Sequence, residues 1–315
     1  MQRPMSLAYN RSASKIMLEK NPDHLQGILS DNEFSPLLSM DVLGRPLIVH
    51  NVDKIVSTCA KVDSIFLPTG MSTVADTISE AFPKISITEY TVGESGSRDS
   101  EDILKIPTSA VLTKSSRDDV EINQMLYPWD VPRIMERVLE TEVRASKISA
   151  DASVAETTII DGPCVVEPGV QIDSFCKIKG PLYIGPDAKI GTGSLIRASM
   201  IGRESIIGFS CEIGKSYLAE RVTIPHLDVI LDSVIGQNTW MGAFVGTTNM
   251  MLNYKNVMYK LDGDLIDTGL QHFGAIIGHD CTIGAGTIIL PGRFVPPGTF
   301  IPPNAVFSAV EKQSA

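Results

Sequence analysis

The chain lacks the features that bind proteins to nucleic acid or to membranes. Its 315 residues carry 27 Lys and Arg against 37 Asp and Glu, which gives a formal net charge of −10. No basic cluster is present to neutralise phosphates, as nucleic-acid binding requires. No apolar run approaches the roughly 18 residues of a membrane span, and the N-terminus has no apolar core of a signal peptide. We therefore expect no nucleic-acid or membrane partner.

Cysteine is also scarce, and its spacing excludes the common cysteine motifs. The five cysteines are scattered and include no CxxC pair: Cys59, Cys164, Cys176, Cys211 and Cys281. Small secreted domains rely on disulfide-paired cysteines, and structural zinc sites rely on closely spaced cysteines. The simplest interpretation is a protein of the reducing cytoplasm.

What the chain does have is a period of six. An aliphatic residue returns at every sixth position from 148 to 196: Ile148, Val154, Ile160, Val166, Ile172, Ile178, Ile184, Ile190 and Ile196. Neither the 3.6 period of a helix nor the 2.0 period of a strand fits. A hexapeptide β-helix does fit, because each unit forms one side of a three-sided coil. We expect a left-handed parallel β-helix, the hand being that of known hexapeptide proteins.

The repeat continues towards the C-terminus with two irregularities. It slips by one residue before Ile201, and it is interrupted between Met241 and Ile277. Within the interruption, residues 257–266 resemble a hairpin that turns at an Asp-Gly pair, a favoured two-residue turn. We predict an excursion at about residues 246–275. Excursions from a rigid scaffold are common places for functional residues.

Residues 1–146 have no six-fold repeat and are predicted to form a separate α/β domain. Amphipathic segments at 45–56, 72–82 and 130–143 predict helices, and apolar segments at 64–68, 85–90 and 110–112 predict strands. The sequence thus predicts two domains, 1–146 and 147–315.

Four segments carry a resemblance to a known family. They read CEIGKS at 211–216, IPHLD at 224–228, LDSVIG at 231–236 and NTWMGAFVGTTN at 238–249. They resemble the acetyltransferase half of the bifunctional sugar-1-phosphate nucleotidyltransferase/glucosamine-1-phosphate acetyltransferases, especially the archaeal-type branch. The similarity persists through residues 274–278 and 287–292, and covers roughly residues 145 to 305.

This resemblance implies catalytic roles for three residues. His226 matches the general base that takes a proton from the ammonium group of the sugar, a task that suits an imidazole because its pKa lies near neutrality. Glu212 matches the carboxylate that orients this imidazole and stabilises its protonated form. Asn249 matches an amide that lies beside the acceptor amine and the thioester.

The resemblance also implies ligands and an assembly. The cosubstrate is expected to be acetyl-CoA, with Gly274 and Ala275 against it. Lys255 matches a basic residue that could hold the phosphate of an amino-sugar phosphate. The active sites are expected to lie between neighbouring copies in a homotrimer.

The chain departs from the family pattern at several of its polar positions. A lysine of the family falls on Gly214, a tyrosine falls on Val229, and an asparagine falls on Trp240 or Thr239. The glycine-rich GAGT reads GAFV at 242–245, and a basic run reads LQH at 270–272. These changes remove charges that would hold a sugar phosphate or coenzyme A, so the acceptor and the activity stay open.

The first domain resembles a sugar-1-phosphate nucleotidyltransferase in fragments, through SPLL at 35–38, GRPLI at 44–48 and YPWD at 127–130. The glycine-rich GxGTR loop that grips nucleotide phosphates in that family has no counterpart before Ser35. Asp99 and Asp102 sit in a polar segment and do not form a recognisable Mg²⁺ pair. We interpret this half as a truncated, Rossmann-type domain that has lost nucleotidyl transfer and does not require Mg²⁺.

Three other functions compete with an acetyltransferase. One is a regulatory or scaffolding paralogue that binds a sugar nucleotide or a partner enzyme, which the lost basic residues favour. Another is a working nucleotidyltransferase with an unfamiliar loop. The last is a γ-class carbonic anhydrase, a trimeric β-helix with zinc on three histidines. The spacing disfavours it, because His272 and His279 are seven residues apart and His226 is remote.

Overall fold

The computed structural model describes residues 5–6, 13–19, 40–59, 62–91, 103–114 and 120–308. The SPLL motif at 35–38 and the two aspartates Asp99 and Asp102 lie outside this part of the chain. The chain divides into two compact units. The first comprises residues 1–26 and 32–130, and the second comprises residues 27–31 and 131–315.

The first unit is an α/β fold around a four-stranded parallel sheet. Its strands lie in the order Ser86–Tyr90, Ser64–Pro68, Lys15–Glu19 and Ile103–Pro107. Helices α1 (Leu47–Thr58) and α2 (Ser72–Ala81) bury their apolar sides with the sheet in one core. The helix predicted from residue 45 begins two residues later, because Arg45–Pro46 pairs with Asp41–Val42 in a short hairpin.

A second, antiparallel sheet of this unit is tied to helix α1 by buried polar side chains. Its strands lie in the order Met5–Ser6, Val120–Gln124 and Ala110–Lys114. The Asn51 amide donates to the carbonyl of Ala110 at 2.7 Å and accepts from the N–H of Leu112 at 2.9 Å. His50 Nε2 lies 2.8 Å from the carbonyl oxygen of Leu112. These contacts give buried backbone groups their hydrogen bonds and assign both side chains a structural role.

The second unit contains a left-handed parallel β-helix, as the six-residue period predicts. Helix α3 (Asp130–Glu142) precedes it in the chain. Three eight-stranded parallel sheets form the three faces of a prism, so each of eight coils contributes one strand to every face.

The strands of the prism are named here by face, and the coils are numbered 1 to 8 in the order of the strands. Face 1 contains Lys147–Ile148, Cys164–Val166, Leu182–Ile184, Met200–Ile201, Tyr217–Leu218, Val234–Ile235, Ala275–Ile277 and Arg293–Val295. Face 2 contains Ser153–Val154, Gln171–Ile172, Lys189–Ile190, Ile206–Phe209, Thr223–His226, Trp240–Met241, Thr282–Ile283 and Phe300–Ile301. Face 3 contains Ile159–Asp161, Lys177–Lys179, Leu195–Arg197, Glu212–Gly214, Val229–Leu231, Gly246–Thr247, Ile288–Ile289 and Val306–Phe307.

The repeated aliphatic side chains point inward and stack from coil to coil. On face 2, for example, Ile172 pairs with Ile190, and Ile190 pairs with Ile207; all three are buried in one continuous core. The corners bring backbones of successive coils so close that some positions accept only glycine. A Cβ on Gly208 would lie 1.7 Å from the carbonyl oxygen of Pro225.

The corner between faces 3 and 1 absorbs the changes in coil length. Six positions separate Ile178 from Ile184 across this corner, but only five separate Ile196 from Ile201. This shortening is the one-residue slip in the sequence pattern. The excursion leaves the prism at the same corner, between Thr247 and Ala275.

The excursion contains the predicted hairpin. Strands Met258–Leu261 and Asp264–Asp267 are antiparallel, and Asp262 and Gly263 turn between them with φ of 51° and 97°. Two positive φ angles are what a type I′ turn requires, and Asp-Gly supplies them. An antiparallel bridge between Met250 and His272 closes the base of the excursion.

All five cysteines are free and buried. Burial raises the pKa of the Cys211 and Cys281 thiols to about 11. None of the helices in the described part of the chain is both long and apolar enough to cross a membrane.

Candidate active site

His226 ends a strand of face 2 in coil 5, at the corner between faces 2 and 3. Its side chain is exposed. Leu227, the next residue, adopts a left-handed conformation with φ of 58°, which turns the chain towards face 3. Across the described residues, no hydrogen bond to the imidazole of His226 is formed. The ring is therefore open to a ligand, as a general base must be.

A buried carboxylate lies two residues after His226. Asp228 is fully buried; its Oδ2 accepts the N–H of His226 at 3.1 Å, and its Oδ1 accepts the N–H of Val245 at 2.6 Å. Burial raises the pKa of Asp228 to about 6, while these N–H donors and the nearby imidazole oppose the shift.

Glu212, the predicted partner of the histidine, is engaged elsewhere. Its Oε1 accepts hydrogen bonds from Nε and Nη2 of Arg197 at 3.2 and 3.0 Å. In the part of the chain that the structure describes, it makes no hydrogen bond to His226. Glu212 and Arg197 lie on face 3 in adjacent coils, where strand pairing sets Glu212 beside Leu195 and sets Gly214 beside Arg197.

The guanidinium of Arg197 covers the position where the resembled family has a lysine. A Cβ on Gly214 would lie 2.6 Å from Cζ of Arg197. The missing side chain thus makes room for a cation that the preceding coil supplies. Sequence reasoning overlooked Arg197, although its distance of 17 residues from Gly214 equals one coil with a short corner.

Asn249 lies at the base of the excursion, and its contacts are with Asp232 and His272 rather than with His226. Its amide Nδ2 donates to Oδ2 of Asp232 at 2.6 Å and lies 3.5 Å from Nδ1 of His272. Burial raises the pKa of Asp232, and the hydrogen bond from Asn249 opposes that shift. Lys215, at the equivalent corner of coil 4, forms an ion pair with Glu136 of helix α3, with Nζ and Oε1 2.9 Å apart.

The remaining predicted residues differ in accessibility. Lys255 is exposed in the excursion. Ala275 is fully buried in the prism core, and the N–H of Gly274 donates to the carbonyl of Asp232 at 2.9 Å. A Cβ on Gly274 would lie 2.1 Å from the carbonyl oxygen of Leu231. Any contact of these two residues with a coenzyme would therefore involve their backbone.

A histidine–carboxylate pair lies at a different corner, between faces 1 and 2. His279 Nδ1 is 2.6 Å from Oδ2 of Asp280, and the amide of Asn238 donates to Oδ1 of Asp280 at 2.9 Å. Arg221 Nε in turn donates to Oδ1 of Asn238 at 2.7 Å. The hydrogen bond with His279 lowers the pKa of Asp280. Over the described ranges, no three His, Cys, Asp or Glu side chains are grouped to hold a metal ion.

Part of the repeat is similar to a known protein family. Residues 163–198 match the bacterial transferase hexapeptide (six repeats). The match covers 36 residues of the prism, from coil 2 to coil 3. The relatives of the chain include the bifunctional protein GlmU of Methanococcus aeolicus, which is 29% identical over 170 residues, covering 54% of this chain and 40% of the relative.

Two further relatives carry acetyltransferase in their names. The bifunctional sugar-1-phosphate nucleotidylyltransferase/acetyltransferase of Sulfurisphaera tokodaii is 27% identical over 165 residues, covering 52% of this chain and 40% of the relative. The uncharacterized acetyltransferase YaiX of Escherichia coli is 29% identical over 165 residues, covering 51% and 72%. Each similarity spans about half of this chain, and the match covers two fifths of the length of the first two relatives.

Proposed function

We propose that this protein transfers an acetyl group from acetyl-CoA to the amine of an amino-sugar phosphate. The observation that carries the proposal is the exposed imidazole of His226 at a corner of the prism, to which none of the described residues forms a hydrogen bond. The names of the relatives, which include acetyltransferase, support the same reaction class.

In the proposed reaction, His226 accepts a proton from the acceptor ammonium. The free amine attacks the carbonyl carbon of the thioester, a C–N bond forms and the C–S bond breaks. The amine loses its second proton as the amide forms, and the coenzyme A thiolate gains one to leave as a thiol. A positioned base of this kind contributes on the order of 10²–10⁴ in rate.

Arg197 is our candidate for binding the phosphate of the acceptor. It is about one-third exposed, it lies one coil from the strand of Glu212, and a guanidinium binds phosphate in a bidentate manner. Lys255 in the excursion is a second candidate cation. Asn249 is proposed beside the amine and the thioester, and the backbone of Gly274 and Ala275 is proposed against coenzyme A.

A homotrimer is proposed on the basis of exposed apolar surface. Large apolar side chains lie outward on face 2, at the corner that carries His226 and on face 3. Their exposure ranges from 41% to 69%: Ile206, Phe209, Leu227, Val229, Trp240, Phe244, Phe300 and Val306. Exposed apolar side chains that share the outer side of one prism are typical of an interface, and soluble oligomers are mostly closed and symmetric.

The first unit is proposed to have lost nucleotidyl transfer. Its parallel sheet fits a nucleotidyltransferase-like ancestry, and Arg45, in the GRPLI motif, forms an ion pair with Asp53 at 3.3 Å. The regulatory paralogue stays the alternative, because the lysine at position 214 and the basic run near 270 are absent from the sequence.

The proposal is tested by thiol release from acetyl-CoA with a panel of amino-sugar 1-phosphates. The proteins compared are the wild type, His226→Ala and the matched control His279→Ala. We expect wild-type turnover, a loss of at least about 100-fold in His226→Ala, and activity near wild type in His279→Ala. If His279→Ala lost activity and His226→Ala kept it, the base would instead be His279 of the His279–Asp280 pair. No turnover by the wild type on the whole panel would favour the regulatory paralogue.

A further inference from the structure

Asp228 occupies a corner position that neutral side chains fill elsewhere. In every coil from 2 to 7, the corner between faces 2 and 3 has a residue with positive φ followed by one buried residue. The buried residues are Cys176, Ser194, Cys211, Asp228, Val245 and Thr287. Asp228 is the one acidic side chain among these six positions.

The structural role of the buried corner position does not require a charged side chain. In coil 3, the Ser194 hydroxyl accepts the N–H of Cys211 at 3.1 Å and donates to the carbonyl of Gly208 at 2.7 Å. Asp228 likewise accepts the N–H of the residue one coil later, Val245. A hydroxyl would therefore satisfy that donor without the free energy that burying a carboxylate requires.

What the carboxylate adds is a second acceptor oxygen directed at His226. Oδ2 of Asp228 binds the N–H of His226, and Leu227 turns between them in a left-handed conformation. This hydrogen bond from the side chain of Asp228 restrains the backbone of His226. The direction in which the exposed imidazole leaves the backbone follows from this restraint.

We propose that Asp228, rather than Glu212, is the carboxylate that positions His226 and stabilises its protonated form. The inference rests on the proposed function, because it assigns a helper to the proposed base. Glu212 is paired with Arg197, whereas Asp228 is buried next to the histidine and interacts electrostatically with its imidazole. Asp228 acts through His226 and is therefore a positioning residue, not a catalytic one.

The ionisation of Asp228 then sets part of the pH dependence. Two titratable groups face it among the described residues, namely the imidazole of His226 and the Cys211 thiol, whose Sγ is 3.9 Å from Oδ2. The raised pKa of the thiol keeps it protonated and able to donate. Burial raises the pKa of Asp228 to about 6, so below that pH the carboxyl is protonated and holds the histidine less well.

As pH rises, the contribution of Asp228 to folding stability changes in the direction opposite to its contribution to activity. The pKa of Asp228 lies near 6 in the folded state and near 3.8 when the carboxyl is unperturbed. The folded state therefore binds the proton more tightly, and the contribution of Asp228 to stability falls as pH rises from about 4 to about 6. Folding stability therefore gives no reason for a carboxylate at position 228. A gain in activity over the same pH range is what the proposal predicts.

The test compares Asp228→Ser and Asp228→Asn with the wild type and with Thr287→Val. Serine reproduces the arrangement at position 194, and asparagine keeps the shape while replacing one acceptor with a donor. Thr287→Val alters the same corner two coils away, outside the proposed site. We expect kcat to fall about 10-fold to 100-fold in both Asp228 variants, with KM for the acceptor within about threefold. Thr287→Val should keep the wild-type kcat.

The pH profile and amide hydrogen exchange provide independent readouts. Below about pH 6, log kcat should fall more steeply in the wild type than in the Asp228 variants, because protonation of Asp228 adds a loss of its own in the wild type. The amide of His226 should be protected from exchange in the wild type and lose that protection in Asp228→Ser.

The outcomes separate the two proposals. Wild-type kcat and slope in both Asp228 variants would overturn the inference while leaving acetyl transfer intact. Unchanged exchange at His226 in Asp228→Ser would overturn it as well. Absence of acetyl transfer by the wild type would instead overturn the proposed function, and with it the catalytic role of the contact. Circular dichroism and the oligomeric state of each variant confirm that a loss does not come from misfolding.

Discussion

At the scale of single residues, Arg197 places its guanidinium over Gly214, the position where the resembled family has a lysine. A side chain at 214 and the guanidinium of Arg197 compete for the same space, since a Cβ there would lie 2.6 Å from Cζ. The cation at this place comes from the preceding coil rather than from position 214. A guanidinium therefore lies at this position, paired with Glu212.

This exchange can be reversed experimentally. Arg197→Ala should raise KM for a phosphate-bearing acceptor by roughly 10-fold to 100-fold, because a hydrogen bond to a charged group contributes about 1.5–3 kcal/mol. The double variant Arg197→Ala/Gly214→Lys should recover most of that loss, since the lysine regains the vacated space. The measurement is steady-state kinetics with one amino sugar in its phosphorylated and unphosphorylated forms. Equal effects on both forms would contradict a phosphate contact.

At the scale of elements, the corner between faces 3 and 1 explains which parts of the β-helix could be predicted. The inward side chains repeat every six residues, so the prism follows from the sequence. The Asp-Gly pair likewise predicts the hairpin of the excursion. The contacts of Glu212 and Asn249 could not be predicted, because they join side chains 15 and 17 residues apart across coils of unequal length.

Asp228 was also beyond prediction from sequence. Its spacing from His226 is visible, but its burial depends on Leu227 adopting a left-handed conformation, which is uncommon for a non-glycine residue. In the first unit, the strand at 64–68 was predicted to the residue, while strand 110–114 joins an antiparallel sheet that the apolar pattern alone does not specify.

The excursion should be removable without loss of the prism. Deleting residues 249–273 joins Thr248 to Gly274 and places Ile277 five positions after Thr247, the spacing found from Ile230 to Ile235. We expect the shortened protein to keep its β-rich circular dichroism spectrum and a cooperative thermal transition. Acetyl transfer should fall below detection, since Asn249 and Lys255 are gone. A protein that fails to fold would show that the excursion supports the prism, contrary to this prediction.

At the scale of the whole molecule, the apolar outer surface of the prism should determine assembly. Trp240 and Phe300 lie on the same outward row of face 2 as Thr282, which stands between them. The double variant Trp240→Asp/Phe300→Asp places two charges on this row, and charges in an apolar interface are strongly unfavourable unless paired. We expect a trimer for the wild type and a monomer for the variant by light scattering. A variant that stays trimeric would place the interface elsewhere.

The burial of all five thiols has a practical consequence for reagents that report on sulfur. Since no cysteine is exposed and two have a pKa of about 11, the folded protein presents few reactive thiolates to a disulfide dye or a maleimide. Free thiol detected with such a dye during turnover would then come from coenzyme A rather than from the protein. A single cysteine introduced at an exposed position, such as Tyr254 at the surface of the excursion, would accept a fluorophore selectively and make ligand-dependent changes at that position visible.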